Sequence, residues 1–192
     1  MYQQDTALAR LLATDLKSNF RLLIIRYQPQ IYAFALRQTG NPHDAEDIAQ
    51  EAFIQAYYAM ADYPEQRIQA LALEPWLYKI ALNIFYKRLR NNKLQLIALD
   101  TGEDKEHIQI EVGASYQPDF ILEDKEALRE LAALLMTLPL QYREAVNLYY
   151  FAELSYCEIA ELLQQPMGTV KSNLHRGVQL LRKALVSKQK GR

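Results

Sequence analysis

Three observations predict an all-α chain: two small helical domains joined by a flexible linker, the second containing a helix-turn-helix. Apolar residues recur at spacings of three and four along most of the 192 residues, and β-branched alternation is hard to find. Gly and Pro are sparse, six and seven, and fall where that spacing breaks. The spacing fails over one long stretch, from Leu96 to about Phe120, which is too long for a loop inside a compact domain. The expected layout is a first domain over residues 1–95, an acidic linker over 96–120 and a second domain over 121–192.

The first helix is expected over Thr6 to Leu16, with Leu8, Leu11, Leu12 and Leu16 on one side. A second follows from Phe20 to Gln38, carrying Leu23, Ile24, Tyr27, Ile31, Phe34 and Ala35. Pro29 lies inside it, so a kink or a restart is expected near Gln28. Thr39, Gly40, Asn41 and Pro42 then punctuate the chain. Gly40 suits a C-cap, Asn41 an N-cap and Pro42 the first helical position. The helix they start has an unbroken apolar stripe of Ala45, Ile48, Ala49, Ala52, Phe53 and Ala56. Glu46, Asp47, Gln50 and Glu51 lie on its other side, where acids in the first turn also favour the helix dipole.

Pro64 and Pro75 bracket a polar loop, with a short helix expected around Gln66 to Leu73. A helix from Trp76 to Asn91 puts Leu77, Ile80, Ala81 and Ile84 inside and gathers Lys79, Asn83, Tyr86, Lys87 and Arg90 on another side. Cations interleaved with an aromatic ring and an amide form a platform for single-stranded nucleic acid, combining stacking with phosphate attraction. After the linker, Leu122, Leu128, Leu131, Leu134 and Leu135 restore helical spacing up to Leu138.

The C-terminal stretch carries the clearest motif. Ser155 and Glu158 form a capping box that starts a short helix with Ile159, Ala160, Leu162 and Leu163 on its apolar side. Gln164, Gln165 and Pro166 end it. A second helix from about Gly168 to Val186 aligns Val170, Leu174, Val178, Leu181 and Leu185. Its first turns carry Thr169, Lys171, Ser172, His175 and Arg176 on the opposite face. These are groove-reading and phosphate-binding types at the end that recognition helices present to bases.

Charge is distributed in blocks, although the net charge is only −1. Residues 75–99 hold five cations and no acid. The connector is acidic, with Glu103, Asp104, Glu106, Glu111 and Asp119, and no acid follows Glu161. The single cysteine, Cys157, excludes an internal disulfide, and its place inside a helix predicts a buried thiol. No signal peptide or membrane span is recognised, so a cytoplasmic protein with no membrane insertion is expected. Phosphate-binding glycine loops are absent, and His43, His107 and His175 lack metal-ligand spacing. No catalytic residue, metal site or cofactor is expected, and the chain does not read as an enzyme.

Three of these stretches in this order resemble the sigma-70 family of bacterial transcription initiation factors, in its extracytoplasmic function (ECF) branch. The first is Thr39-Gly40-Asn41 followed by Ala45-Glu46-Asp47-Ile48-Ala49-Gln50-Glu51-Ala52-Phe53. The second is Trp76-Leu77-Tyr78-Lys79-Ile80-Ala81-Leu82-Asn83 with the basic run Lys87-Arg88-Leu89-Arg90. The third runs from Leu138-Pro139 through Gly168-Thr169-Val170-Lys171-Ser172-Asn173-Leu174-His175-Arg176. The chain departs from the family where Ile84 to Arg88 lacks the usual acid, and where Asn173 and Gly177 replace the common Arg and Ala.

The resemblance implies that Asp47, Gln50 and Glu51 dock on core RNA polymerase. It implies recognition and melting of the promoter −10 element by Tyr63, Arg67, Trp76, Tyr78, Lys79, Asn83, Tyr86, Lys87 and Arg90. It implies reading of the −35 element in the major groove by Thr169, Lys171, Ser172, His175 and Arg176, with Arg176 placed for a bidentate guanine contact. The implied partners are bacterial core RNA polymerase, promoter DNA and an anti-sigma factor. The alternative is a stand-alone helix-turn-helix regulator that binds DNA alone, against which the basic-aromatic helix and the acidic Asp47 face both speak.

Overall fold

In a computed structural model, residues 2–99 and 122–190 are described, and every regular element among them is an α-helix. The expected linker falls mostly outside the described residues. The N-terminal group comprises α1 (Tyr2–Thr14), α2 (Leu16–Thr39), α3 (Pro42–Ala61), α4 (Glu65–Gln69) and α5 (Leu73–Leu99). The C-terminal group comprises α6 (Leu122–Met136), α7 (Leu140–Tyr150), α8 (Tyr156–Leu163) and α9 (Met167–Lys190).

The first break comes at Asp15, whose side chain accepts a hydrogen bond from the Ser18 amide and caps α2. Helix α2 runs through Pro29 without the restart expected near Gln28. Proline removes one amide donor from the ladder, and the carbonyl left over belongs to Ile25, a 59 % exposed residue where water can satisfy it. The stop and start at Gly40 and Asn41 form as expected. Gly40 adopts φ +69°, and the Asn41 side chain accepts from the His43 and Asp44 amides at 2.9 and 3.4 Å. The α3 stripe is buried as read, with Met60 extending it.

The polar loop holds only the single turn of α4. The long helix begins at Leu73 rather than Trp76, because Pro75 fits the first turn, where its missing N–H costs nothing. That helix also passes beyond Asn91 to Leu99, so residues 96–99, assigned to the linker from sequence, are helical.

The turn of α2 that ends at Gln38 is buried on every side: Phe34, Ala35, Leu36, Arg37 and Gln38 are each 6 % exposed or less. A helix of one small bundle keeps a solvent face; this one is covered because α3 and α5 pack on one side and α6 and α7 on the other. Leu148, Ala152, Leu154 and Ile159 therefore join the same core as Phe34, Ala35 and Tyr78. A smaller core of Leu135, Leu138, Ala145, Val146 and Leu174 belongs to the C-terminal group alone. Burying side chains of this size contributes roughly 1.5–3 kcal/mol each.

The Ser155–Glu158 capping box is complete: the Ser155 hydroxyl accepts from the Glu158 amide, and the Glu158 carboxylate accepts from the Ser155 amide at 2.8 Å. Gln164 ends α8 at φ +53°, turning the chain toward Pro166 and α9. Cys157 is exposed, contrary to the expected buried thiol. It lies about 200° around the short helix from Ile159, which points into the core. The α9 stripe is buried at Val170 and Leu174 but open at Leu185, because the helix outruns its partner α7.

Gly177 explains one departure from the family pattern. A Cβ there would lie 2.8 Å from Val146 Cγ2 and 3.2 Å from the Tyr142 carbonyl, so α9 approaches α7 at backbone distance. Gly177→Ala gains helix propensity of about 1 kcal/mol but forces two helices apart, at a cost of about 1–3 kcal/mol. The net expectation is a melting temperature lowered by a few degrees in calorimetry. An unchanged or raised value would contradict this packing.

Candidate nucleic-acid and polymerase interfaces

Helix α9 presents Thr169, Lys171, Ser172, His175 and Arg176 to solvent over its first three turns, while Val170 and Leu174 anchor its inner side. All five expected groove-facing residues therefore share one open surface. Three tyrosines that the sequence reading passed over support it. The Lys171 ammonium sits 5.3 Å from the Tyr156 ring centroid, and Tyr156 stacks on Tyr149 at 4.9 Å. Arg176 Nη1 reaches the Tyr142 hydroxyl oxygen at 3.5 Å. These rings lie seven residues apart in sequence, a spacing that carries meaning only once α7 and α8 are packed under α9.

The second surface is assembled from the loop before α4, α4 itself and α5. The Arg67 guanidinium lies 3.7 Å from the Tyr63 ring centroid, and Tyr63 and Trp76 meet at 6.2 Å with tilted rings. Lys79, Asn83, Lys87 and Arg90 are exposed at spacings of four, four and three, a cationic strip along α5. Tyr78 is not on this surface. It is 1 % exposed, packs edge-on against Phe34, and burial pushes its hydroxyl pKa up. One helical step from Lys79 turns it inward beside Leu77 and Ala81. Tyr86 stays 38 % exposed, and burial, then the neighbouring Glu144 of α7, pushes its hydroxyl pKa up.

On α3, Gln50 is exposed and Asp47 and Glu51 are half-buried. Both carboxylates are engaged by one cation the sequence reading did not single out: Arg88 of α5 reaches Asp47 Oδ2 at 3.1 Å and Glu51 Oε2 at 3.3 Å. Residues 37 and 41 positions apart give no local signal of such a contact.

The two helical groups meet along a polar seam. The five buried polar residues among the described ones, Arg37, Gln38, Arg143, Glu144 and Asn147, all lie on α2 or α7. Arg37 Nε donates to Asn147 Oδ1 at 2.7 Å, and Asn147 Nδ2 donates to the Phe34 carbonyl at 3.1 Å. The Arg37 guanidinium also stacks 4.5 Å from the Phe151 ring centroid. No carboxylate pairs with it among the described residues, and burial pulls its pKa down to about 10, so it stays charged at neutral pH. Burial likewise raises the Glu144 carboxyl above its ordinary value. Beside the seam, Asp5 and Glu74 face Glu153 and Glu158 across one cleft. Burial, then the neighbouring carboxylates, raises Glu74 as well.

A helix-turn-helix and a separate basic-aromatic helix, carried by one all-helical chain, define the class of two-part promoter-reading factors. Comparison with known proteins makes this specific. Sigma-70 region 2 matches residues 23–95 and Sigma-70 region 4 matches residues 128–181. The ECF RNA polymerase sigma factor SigW of Bacillus subtilis is 37% identical over 163 residues, which span 83% of this chain and 84% of the relative. Among solved structures, CnrH in complex with the cytosolic domain of CnrY aligns with a TM-score of 0.67 at 20% identity, over 95% of this chain and 97% of the other. The Bartonella quintana sigma factor RpoE in complex with the anti-sigma factor NepR aligns with a TM-score of 0.65 at 22% identity, over 87% and 96%. These two likenesses concern the fold. The chain belongs to the sigma-70 family, and within it to the ECF RNA polymerase sigma factors. Its function is promoter-directed initiation of transcription. No helix among the described residues is long and apolar enough to cross a membrane.

The raised carboxyls at the seam carry a pH dependence of definite sign. A folded-state carboxyl pKa above the unfolded value means the packed form holds more protons, so stability increases as pH falls through the raised value and levels off below the ordinary one. Glu144→Gln removes the buried charge while keeping an acceptor for Tyr86. It is expected to raise the melting temperature at pH 7.5 by a few degrees and to flatten its rise toward pH 5. A lower melting temperature, or an unchanged pH profile, would contradict the burial cost assigned to Glu144.

Proposed function

We propose that residues 1–95 form the unit that docks on core RNA polymerase and opens the −10 element, and that residues 121–192 form the unit that reads the −35 element. Docking uses Asp47, Gln50 and Glu51 of α3. Melting uses the Tyr63, Arg67 and Trp76 cluster as the receptor for an unstacked base, with Lys79, Asn83, Lys87 and Arg90 tracking the separated strand. Thr169, Lys171, Ser172, His175 and Arg176 enter the major groove, and Arg176 makes the guanine contact. The observation that carries this reading is the separation of the surfaces. An open recognition helix, a cationic-aromatic strip and an acidic face lie on three different helices, each with its own support.

The packed arrangement cannot serve both elements at once. Their names place them about 25 base pairs apart, roughly 85 Å of duplex at 3.4 Å per pair, whereas Arg37 of α2 and Asn147 of α7 are hydrogen-bonded at 2.7 Å. Binding at both elements therefore requires the seam to open. A seam of charged and amide groups suits this, because water can take over their hydrogen bonds when it parts. A closed form of this kind also offers an anti-sigma factor both units at one place; the complex of the Bartonella RpoE with the anti-sigma factor NepR supports a partner of that class. The chain acts in the cytoplasm, where core polymerase is, and it binds and remodels DNA rather than catalysing a reaction.

Run-off transcription with sigma-free core polymerase and a promoter library tests the assignment. Arg176→Ala is expected to reduce −35-dependent transcripts by about 5–150-fold, the equivalent of a contact worth about 1–3 kcal/mol of discrimination, while leaving association with core intact. Gln50→Ala with Glu51→Ala is expected to lose transcripts through loss of that association. Tight duplex binding by the isolated chain, with no association with core, would move the assignment to a stand-alone helix-turn-helix regulator.

A further inference from the structure

We propose that Arg88 is the positioning residue of the polymerase-docking face, acting through Asp47 and Glu51 and making no contact with DNA. The proposal rests on the assignment of those two acids to docking.

In the sequence Arg88 falls within the basic run Lys87-Arg88-Leu89-Arg90, between two residues assigned to the −10 strand. The structure separates it from that run. Lys87 and Arg90 are exposed, whereas Arg88 is half-buried and turned toward α3. Its two terminal nitrogens divide between two acceptors, Nη1 to Asp47 at 3.1 Å and Nη2 to Glu51 at 3.3 Å. Asp47 and Glu51 stand four residues apart on one helix face, where like charges repel and drive the side chains to different rotamers. A guanidinium is the side chain whose planar fork can hold both, because its donors diverge at a fixed angle. The far oxygen of Glu51 is held as well: Oε1 accepts from Gln55 Nε2 at 3.0 Å. The docking acids are thus set in one orientation before any partner arrives, beside the open Gln50 amide.

The consequence for binding is preorganisation. Fixing two rotamer-rich carboxylates in the free protein removes ordering cost that docking would otherwise meet. Arg88 also brings the summed charge of itself, Asp47 and Glu51 to −1. Since Arg88 lies on the helix whose exposed strip is assigned to the −10 strand, it ties the docking helix to the melting helix at one point. Ion pairs that keep about a third of their side-chain surface in water, as these do, are screened and contribute little to folding, so the effect belongs to binding, and Arg88→Ala should fold.

The test measures core-polymerase affinity by fluorescence titration for the wild-type chain, Arg88→Ala, Arg88→Lys, Asp47→Ala with Glu51→Ala, and the triple variant, each with its melting curve. Arg88→Ala is expected to weaken core binding about tenfold with little change in melting temperature. Arg88→Lys should recover only part of it, because one ammonium cannot hold both acids in one plane. In the background lacking both acids, Arg88→Ala should have no further effect. The isolated chain's salt dependence on single-stranded −10 DNA should be unchanged by Arg88→Ala and reduced by Lys87→Ala.

Unchanged or tighter core binding by Arg88→Ala, an equal loss with and without the acids, or a reduced DNA salt slope would each overturn the positioning role. If removing both acids leaves core binding intact, the docking assignment fails and the Arg88 proposal fails with it. If removing the acids abolishes binding while Arg88→Ala does not, only the Arg88 proposal fails.

Discussion

Asn147 ties the two halves of the chain together, donating to the Phe34 carbonyl at 3.1 Å and accepting from Arg37 at 2.7 Å. Everything around it is arranged as a consequence. The end of α2 must be buried on every side, so its arginine and glutamine are taken from water with no carboxylate to compensate them. Hydrogen bonds to a charged group contribute roughly 1.5–3 kcal/mol, and a desolvated guanidinium over an aromatic ring about 2 kcal/mol. Stripping water from the guanidinium costs several kcal/mol. These terms nearly offset one another, so closure depends on the apolar residues Leu148, Ala152 and Leu154 beside them. A junction of that kind is specific in register yet separable, unlike the all-apolar seam between α2 and the α3 stripe.

Local chemistry made most of the helices legible in the sequence. The Gly40–Asn41–Pro42 punctuation, the α3 stripe and the Ser155 capping box each depend on contacts within a few residues, and each forms as read. The errors arose where one local signal admits two outcomes. Pro29 passes inside a helix because its orphaned acceptor faces water. Helix α5 begins three residues before Trp76 and ends beyond Asn91 because Pro75 suits a first turn and nothing local stops the other end. Cys157 lies outside because the core of a two-turn helix takes only one narrow side.

The functional surfaces were legible to different depths. The groove-facing residues of α9 follow from helical period alone, since buried Val170 and Leu174 fix which side is left. Tyr78 sits one position from Lys79 in sequence but on the other side of α5, against Phe34. Arg88 is one more cation of a basic run in the sequence and a fork between two carboxylates in the structure. Tyr142, Tyr149 and Tyr156 gain meaning only from the packing of three helices. Charge and aromatic content thus locate a working region of the chain, and packing decides which of its side chains face outward.

The most direct measurement is a distance between the two units as the chain moves from free protein to promoter complex. Spin labels on exposed Cys157 and on a cysteine replacing exposed Lys17 of α2 report it by pulsed dipolar spectroscopy. The free chain should give one short distance, and addition of core polymerase with a promoter carrying both elements should lengthen it by several tens of ångströms, in keeping with roughly 85 Å between the elements. A distance that stays short in the transcribing complex would contradict the division of promoter reading between two separable units.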